Sequence, residues 1–240
     1  MKLAVQLYSL RDHIQTGEDL LALFPKIKAI GFDGVEFAGY FGLPAAKIRC
    51  ALDEAGLVAI GTHIGIENYM PYNLKETLEY ARVLGMPYSG TGGAPHHTPD
   101  EIRVTCAVFA YASKLAAEQG VTIYYHNHVD EFTPYADGTV AMDALFDACS
   151  VELDTYWSFC AGIDNEAYIT AHKDKIRLIH IKDGIGHNPL ALGEGECDLA
   201  AVVRGAKTAG IEWLVLENDN PKPYGLNDIA RSMEWLKRNV

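Results

Sequence analysis

Short apolar segments alternate with amphipathic helical patterns eight times along this chain, with a repeat of about 30 residues. Segments of this length fit single strands and are too short to span a membrane. Strands that alternate with helices in one unbroken series form a parallel sheet. The predicted strands are Leu3–Tyr8, Gly34–Phe37, Leu57–His63, Pro87–Gly90, Val121–His126, Val151–Asp154, Arg177–Ile181 and Trp213–Glu217.

The amphipathic segments carry recognisable end signals. Pro44 and Pro99 stand at helix starts, where a missing N–H costs little. Glycines that favour a left-handed helix C-cap follow five of the segments, at Gly31, Gly56, Gly85, Gly120 and Gly210. The predicted helices are Leu20–Ile30, Pro44–Ala55, Leu74–Leu84, Asp100–Gln119, Ala141–Ala148, Asn165–His172, Leu199–Ala209 and Leu226–Arg238.

Eight strand–helix units can close into a barrel or spread into an open, doubly wound sheet. An open nucleotide-binding sheet would place a GxGxxG motif after its first strand, and the segment QLYSLRDH contains none. The length of 240 residues lies near the lower end of the barrel's size range. We therefore predict an α/β fold, a single-domain (β/α)8 TIM barrel over residues 1–240 with no linker or second domain.

The charge of the chain narrows the classes of function. Lysine and arginine number 20 against 32 aspartates and glutamates, which gives a net charge of −12. Nucleic acids and anionic membranes attract basic proteins, so neither is an expected partner. The five cysteines form no CxxC pair and the N-terminus has no secretory apolar segment, so we expect a cytoplasmic protein with free thiols.

Polar side chains stand at the ends of seven of the eight predicted strands. The carboxyl ends of barrel strands form the mouth, where active sites lie, and alternate side chains point inward. An inward polar group is costly unless it binds something. These residues are Gln6, Tyr8, Glu36, His63, His126, His128, Glu152, Asp154, His180, Lys182 and Glu217.

Asp154, His180 and Glu217 end three consecutive strands and form a mixed carboxylate–imidazole set. Such a set suits Mn²⁺, Co²⁺, Fe²⁺ or Zn²⁺ better than Ca²⁺ or Mg²⁺, which prefer oxygen ligands. A single inward histidine is more often a hydrogen-bonded core residue than a ligand. The prediction of a divalent metal site therefore rests on the three residues together.

The same segments resemble the xylose isomerase-like TIM-barrel superfamily, and within it the sugar phosphate isomerase/epimerase branch. The resemblance covers nearly the whole chain. It is carried by QLYSLRD, GFDGVEFAG, YHNHVDEF, VELDTYW with the following AGID, HIKD, LGEGECD and LENDN.

In this superfamily a divalent metal at the barrel mouth is held by residues of strands five to eight, usually Glu, Asp, His and Glu. The resemblance implies Asp154, His180 and Glu217 as three ligands. Strand five ends in His126 where the epimerases carry a glutamate. Either His126 or the nearby Glu131 is then the fourth ligand.

The resemblance implies an isomerase or epimerase that removes a proton next to the carbonyl of a small keto- or hydroxy-sugar or a polyol. A bound Mn²⁺, Co²⁺ or Zn²⁺ would stabilise the enediolate, with Glu217, His126 and Lys182 as catalytic groups. The family's epimerases use two metal-bound glutamates on opposite faces of the substrate, and here only Glu217 has that place. The alternative is therefore one-sided β-elimination, as in an inosose dehydratase or a keto-glycoside lyase.

Further residues around the mouth are candidates for substrate binding. The LGEGE loop brings two glutamates that would repel a phosphate, so we expect an unphosphorylated substrate. A nuclease like endonuclease IV, disfavoured by the acidic charge, and a non-catalytic sugar-binding barrel are the other classes. The sequence leaves open whether the chain forms a homo-oligomer. The candidate substrate-binding residues are Gln6, Tyr8, Glu36, His63, His128 and Trp157.

Overall fold

The computed structural model describes all 240 residues, Met1–Val240. Its strands are β1 Lys2–Gln6, β2 Gly34–Ala38, β3 Val58–His63, β4 Tyr88–Thr91, β5 Thr122–His126, β6 Ser150–Asp154, β7 Ile176–Ile181, β8 Asp183–Ile185, β9 Asn188–Leu190 and β10 Trp213–Leu216. Its helices are α1 Gly17–Ile30, α2 Ala45–Ala55, α3 Leu74–Leu84, α4 Pro99–Ala117, α5 Ala141–Ala148, α6 Thr155–Cys160, α7 Asn165–Ala171, α8 Leu199–Ala209 and α9 Gly225–Asn239.

Eight of the ten strands close into a parallel barrel, in the order β1-β10-β7-β6-β5-β4-β3-β2. This confirms the predicted TIM barrel. The remaining strands, β8 and β9, form a small antiparallel hairpin after β7 that the sequence did not predict. None of the helices combines the length and apolar character that crossing a membrane requires.

The predicted end signals hold in the structure. All five helix-terminal glycines have a positive φ, between 68° and 122°. Pro99 is the first residue of α4, and Pro44 directly precedes α2. These signals fix where each helix ends and the next strand begins. They thereby determine which residues of that strand reach the barrel mouth.

Inside the barrel, the inward side chains change from apolar to polar along several strands. Most of the core lies between the strands and the surrounding helices. A smaller apolar cluster fills the lower barrel with Ala4, Ile60, Tyr124, Leu178, Trp213 and Val215. Two residues further along several strands, the inward positions become polar because side chains alternate along a strand. The residues there include Gln6, His126, His180 and Glu217.

The first strand ends earlier than predicted. β1 stops at Gln6, and a 3₁₀ helix, Leu7–His13, begins directly after it. The Gln6 side chain caps this helix by accepting a hydrogen bond from the backbone N–H of Tyr8 at 3.1 Å. Tyr8 belongs to this helix and is 45% exposed, so the predicted end of strand one at Tyr8 is wrong.

Asp183 anchors the glycine-containing loop that follows the hairpin. Its Oδ2 accepts the N–H groups of Gly193 at 2.8 Å and Gly195 at 3.0 Å. Its Oδ1 accepts those of Gly184 at 2.9 Å and Cys197 at 3.1 Å. A Cβ on Gly195 would lie 2.2 Å from Oδ1, so only glycine permits this approach. One buried carboxylate thus satisfies four backbone donors.

We expect Asp183→Ala to lower the free energy of unfolding by about 3 kcal/mol, because it leaves buried N–H groups without acceptors. Urea denaturation followed by circular dichroism measures the change. Asp174→Ala, which alters an exposed aspartate, should stay within about 0.5 kcal/mol of the unsubstituted protein. Equal stability of the two variants would contradict the anchoring role of Asp183.

Candidate metal centre

The strand register brings the predicted donors to one level of the barrel. Asp154 of β6 is paired with His180 of β7, and His126 of β5 is paired with Glu152 of β6. Glu217 directly follows β10, which lies beside β7. Because parallel strands end at the same rim, the ends of these four strands bring their side chains together at the mouth.

Four buried side chains present donor atoms within 4.8 Å of one another, namely His126, Asp154, His180 and Glu217. His126 Nε2 lies 3.2 Å from Asp154 Oδ2 and 3.9 Å from Glu217 Oε2. His180 Nδ1 lies 3.0 Å from Glu217 Oε2 and 3.9 Å from Asp154 Oδ2. Donors that share one ion at about 2.1 Å are about 3 to 3.5 Å apart, so this group fits a divalent cation.

The two carboxylate oxygens of Asp154 have different roles, one in capping a helix and the other in the donor group. Oδ1 caps α6 by accepting the N–H groups of Tyr156 and Trp157, each at 2.9 Å. Asn127 accepts the backbone N–H of Asp154 at 3.0 Å and thereby ties the end of β5 to β6. The carboxylate is held rigidly with Oδ2 turned toward His126.

His180 is held from below by carboxylates. Its Nε2 lies 2.7 Å from Glu36 Oε2 and 3.1 Å from Glu152 Oε2. Glu36 in turn accepts hydrogen bonds from the Gln6 amide, at 2.8 Å, and from the Tyr124 hydroxyl. A metal-bound histidine usually donates its other N–H to a carboxylate, which fixes its tautomer and orientation. The surroundings of His180 meet that requirement, whereas the Nδ1 atom of His126 is buried without a partner.

Lys182 supplies positive charge beside the same donors. Its Nζ lies 3.1 Å from Asp154 Oδ2, 3.1 Å from Glu217 Oε2 and 2.5 Å from Asp219 Oδ2. The side chain is only 1% exposed. Burial alone would lower the pKa of Lys182, but the three facing carboxylates outweigh it and raise that pKa. The ammonium is therefore a permanent cation at the edge of the centre.

The protonation states of Glu217 and His126 suit metal binding. Burial alone would lower the pKa of His180, but Glu152, Glu217 and Glu36 raise it, so His180 has to lose a proton when an ion binds. Burial alone would raise the pKa of Glu217, but the charges of Lys182 and His180 hold it well below its usual value, so Glu217 is ionised. Burial, together with the neighbouring His180 and His63, lowers the pKa of His126 well below its ordinary value. His126 is thus neutral and offers a lone pair. Both states are the ones that a metal ligand requires.

The mouth of the barrel is a cavity of about 390 Å³. Three of the predicted substrate-binding residues line it, and two others, Gln6 and Glu36, lie fully buried beneath the donors. His63 both lines the cavity and lies 2.7 Å from Glu152, so it connects the mouth to the carboxylates that lie below His180. The lining residues are Tyr8, Ala38, His63, Gly92, His126, His128, Glu217 and Asp219.

Trp157 stands beside the centre and outside that lining. Lys182 Nζ lies 5.3 Å from the centroid of its ring, a distance that allows a cation–π contact. The ring centroid is 6.0 Å from that of His128. The indole therefore covers one side of the ammonium rather than the open side of the mouth.

The structure separates the two candidates for the fourth ligand. Glu131 is fully buried, but its oxygens accept hydrogen bonds from the Tyr125 hydroxyl at 2.9 Å and from the N–H of His128 at 2.8 Å. Only His126 joins the donor group. Sequence reasoning missed Asp219, which lies beyond the end of β10, where strand alternation no longer indicates the direction of a side chain.

We expect Glu36→Gln to weaken binding of Mn²⁺ roughly tenfold, since the neutral amide is a poorer acceptor for the His180 N–H. Competition with a chelating dye measures the dissociation constant. Glu54→Gln, which alters an exposed glutamate, is the matched control and should bind as the unsubstituted protein does. Unchanged affinity in Glu36→Gln would contradict the orienting role of Glu36.

A family model described as the xylose isomerase-like TIM barrel matches residues 24–239. The chain belongs to this family. A relative, inosose dehydratase from Bacillus velezensis, is 26% identical in an alignment of 197 residues, with 71% of this chain and 64% of the relative covered. The aligned part thus spans less than two thirds of the length of that relative.

Solved structures share the fold over almost the whole chain. A sugar phosphate isomerase/epimerase from Parabacteroides distasonis has a TM-score of 0.85 at 22% identity, with 99% of this chain and 98% of that chain covered. D-allulose 3-epimerase from a Methylomonas species, in complex with D-allulose, has a TM-score of 0.78 at 14% identity, covering 100% and 97%. A probable 3-DHS dehydratase from Bacillus anthracis also has a TM-score of 0.78, at 12% identity and 99% coverage of both chains. The shared fold spans epimerases and dehydratases.

Proposed function

We propose that the protein is a metal-dependent enzyme that removes a proton next to the carbonyl of a small keto- or hydroxy-sugar or a polyol. The observation that carries this proposal is the buried group of His126, Asp154, His180 and Glu217, opening on a cavity of about 390 Å³. The names of the similar proteins, which include an epimerase and an inosose dehydratase, support it.

The metal would be Mn²⁺, Co²⁺ or Zn²⁺, because two imidazoles and two carboxylates match these ions better than Mg²⁺ or Ca²⁺. When bound, the cation polarises the substrate carbonyl and offsets the negative charge that develops as the neighbouring proton leaves. His126, Asp154, His180 and Glu217 would hold it.

The side chains at and beside the mouth have distinct roles in the proposed reaction. Glu217 is ionised and lines the cavity, so its free carboxylate oxygen is the candidate base. Lys182, whose buried ammonium lies within 3.1 Å of both Asp154 and Glu217, offsets the negative charge of these two carboxylates. His128 lines the same cavity and is the candidate for returning a proton to the substrate.

The donor set also suits elimination, as an alternative to epimerisation. Epimerisation exchanges protons on two faces of one carbon and is served by two carboxylates, whereas strand five here supplies the neutral His126. Elimination of water needs only one base and a group that assists the leaving oxygen. Glu217 as the base and His128, which lines the same cavity, as the proton donor to the leaving oxygen meet that need, so a carbon–oxygen lyase is the second candidate beside an isomerase or epimerase.

An unphosphorylated substrate fits the loop after the hairpin. Backbone N–H groups of a glycine-rich loop can bind a phosphate, but those of Gly193 and Gly195 already donate to Asp183. The loop also carries Glu194 and Glu196, both exposed. Neither its donors nor its charge suits a phosphoryl group.

A substrate screen tests the proposed function. Free keto-sugars, inosose-type polyol ketones and keto-glycosides, each beside its phosphorylated form where one exists, are incubated with the protein and Mn²⁺ and followed by NMR in D₂O. We expect deuterium to enter the carbon next to the carbonyl, with loss of water or a substituent marking a lyase and a changed stereocentre marking an epimerase. Absence of exchange with every compound, or a clear preference for phosphorylated sugars, would contradict the proposal.

A further inference from the structure

Another group of side chains that could hold a metal ion shares no residue with the central group or with the carboxylates below it. His96, His97 and Asp130 bring one donor atom each to within 4.8 Å of one another. The two histidines belong to the loop between β4 and α4, and Asp130 begins a short 3₁₀ helix, Asp130–Phe132, after β5. None of these residues is among the four donors of the central group.

His96 is prepared for coordination by its own surroundings. Its Nδ1 lies 2.8 Å from the carbonyl oxygen of Ala94. Because a carbonyl can only accept, Nδ1 carries the proton, and Nε2 of the neutral ring presents a lone pair. That Nε2 atom is buried and has no hydrogen-bond partner. A buried acceptor without a partner is costly, and a metal ion would satisfy it.

The loop that carries His96 is fixed before any ion binds. The Thr105 hydroxyl donates to the carbonyl of Pro95 at 2.6 Å, and the Tyr135 hydroxyl donates to the carbonyl of His96. The side chain of His96 itself is only 11% exposed. A ligand held in place loses little conformational entropy on binding, which favours an ion at this point.

His97 and Asp130 are exposed and adjoin a cavity of about 560 Å³, so water reaches the remaining coordination positions. Two imidazoles and one carboxylate are borderline donors that suit Zn²⁺ and disfavour Ca²⁺ and Mg²⁺. The net charge of −12 further favours cation binding. We propose that His96, His97 and Asp130 form a Zn²⁺ site that joins the β4–α4 loop to the β5–α5 loop.

This site would affect the segment that positions His128 at the barrel mouth, rather than the four central donors. The Tyr125 hydroxyl lies 3.3 Å from His96 Nδ1 and donates to Glu131 at 2.9 Å. Glu131 accepts the N–H of His128 at 2.8 Å. An ion on His96 would therefore stiffen the segment that positions His128, without touching the central group.

Zinc stoichiometry tests the site. Metal-free protein is dialysed against ZnCl₂ and analysed for zinc per chain. We expect the unsubstituted protein to bind about one equivalent more than His97→Ala or Asp130→Asn. Asp137→Asn, an exposed aspartate of the same cavity wall, is the matched control and should bind as much as the unsubstituted protein.

A second measurement identifies the ligands directly. With zinc added in steps, the ¹⁵N resonances of the His96 and His97 imidazoles should shift in the unsubstituted protein, and that of His96 should stay unshifted in Asp130→Asn. The double variant Asp154→Asn/Glu217→Gln, which lacks central donors, should keep the zinc that His97→Ala loses. Equal zinc in the unsubstituted protein and in His97→Ala, or equal loss in Asp137→Asn, would overturn the proposal whatever the enzyme's substrate proves to be.

Discussion

Glu217→Gln is expected to lower kcat/KM by at least about 10³-fold, because it removes both a metal ligand and the candidate base. The amide is nearly the same size as the carboxylate, but it carries no charge and cannot accept a proton. It should also weaken Mn²⁺ binding by more than about 100-fold, since the Glu217 carboxylate is ionised in the folded protein. Turnover of a substrate found by the screen, and a titration with Mn²⁺, measure the two effects.

Glu118→Gln is the control for this substitution, because Glu118 is exposed at the end of α4, at the opposite end of the barrel from the mouth. It should leave turnover and Mn²⁺ affinity unchanged. Full activity of Glu217→Gln after chelation and dialysis against metal-free buffer would contradict both roles of Glu217 and the metal-dependent mechanism with them.

Lys182→Met is expected to lower the stability of the metal-free protein by about 3 to 5 kcal/mol. The ammonium faces three carboxylates, and two of them, on Asp154 and Glu217, are buried. Without the ammonium these charges stay close together and unpaired. A bound cation would replace the lost charge, so saturating Mn²⁺ should restore most of the stability. Urea denaturation in EDTA and in excess Mn²⁺ measures the two values.

Lys175→Met is the matched control, because Lys175 is exposed and precedes β7. Its stability should stay within about 0.5 kcal/mol of the unsubstituted protein, with or without metal. If Lys182→Met in EDTA is as stable as this control, the ammonium does not compensate the central carboxylates. If Mn²⁺ fails to stabilise Lys182→Met more than Lys175→Met, the carboxylates do not hold the ion.

The barrel was predictable from the sequence because apolar strand segments and amphipathic helical segments alternate regularly along the chain. The apolar runs give the strands, and the terminal glycines give the ends of the helices between them. The convergence of Asp154, His180 and Glu217 followed from the rule that parallel strands end at one rim. Prediction worked best on β6 and β7, where the polar residue is within the strand and pairing fixes its direction.

Prediction failed where the chain leaves the strand pattern. Tyr8 follows a strand that ends at Gln6, so strand alternation no longer describes its direction. The hairpin Asp183–Leu190 depends on bonds between Asp183 and a loop ten or more residues away, which no local pattern reveals. The support of His180 by Glu36 joins residues 144 positions apart. Only the closed sheet brings them together.

The segment His180–Asp183 fixes the directions of three functional side chains at the end of β7. His180 and Lys182 meet the central donors, while Asp183 binds the following loop. Inserting or deleting one residue just before this segment would reverse the direction of all three side chains. Metal ligation, charge balance and loop anchoring would then fail together. Substitutions at the mouth and changes in loop length elsewhere leave this arrangement intact, whereas the length of β7 has to stay constant.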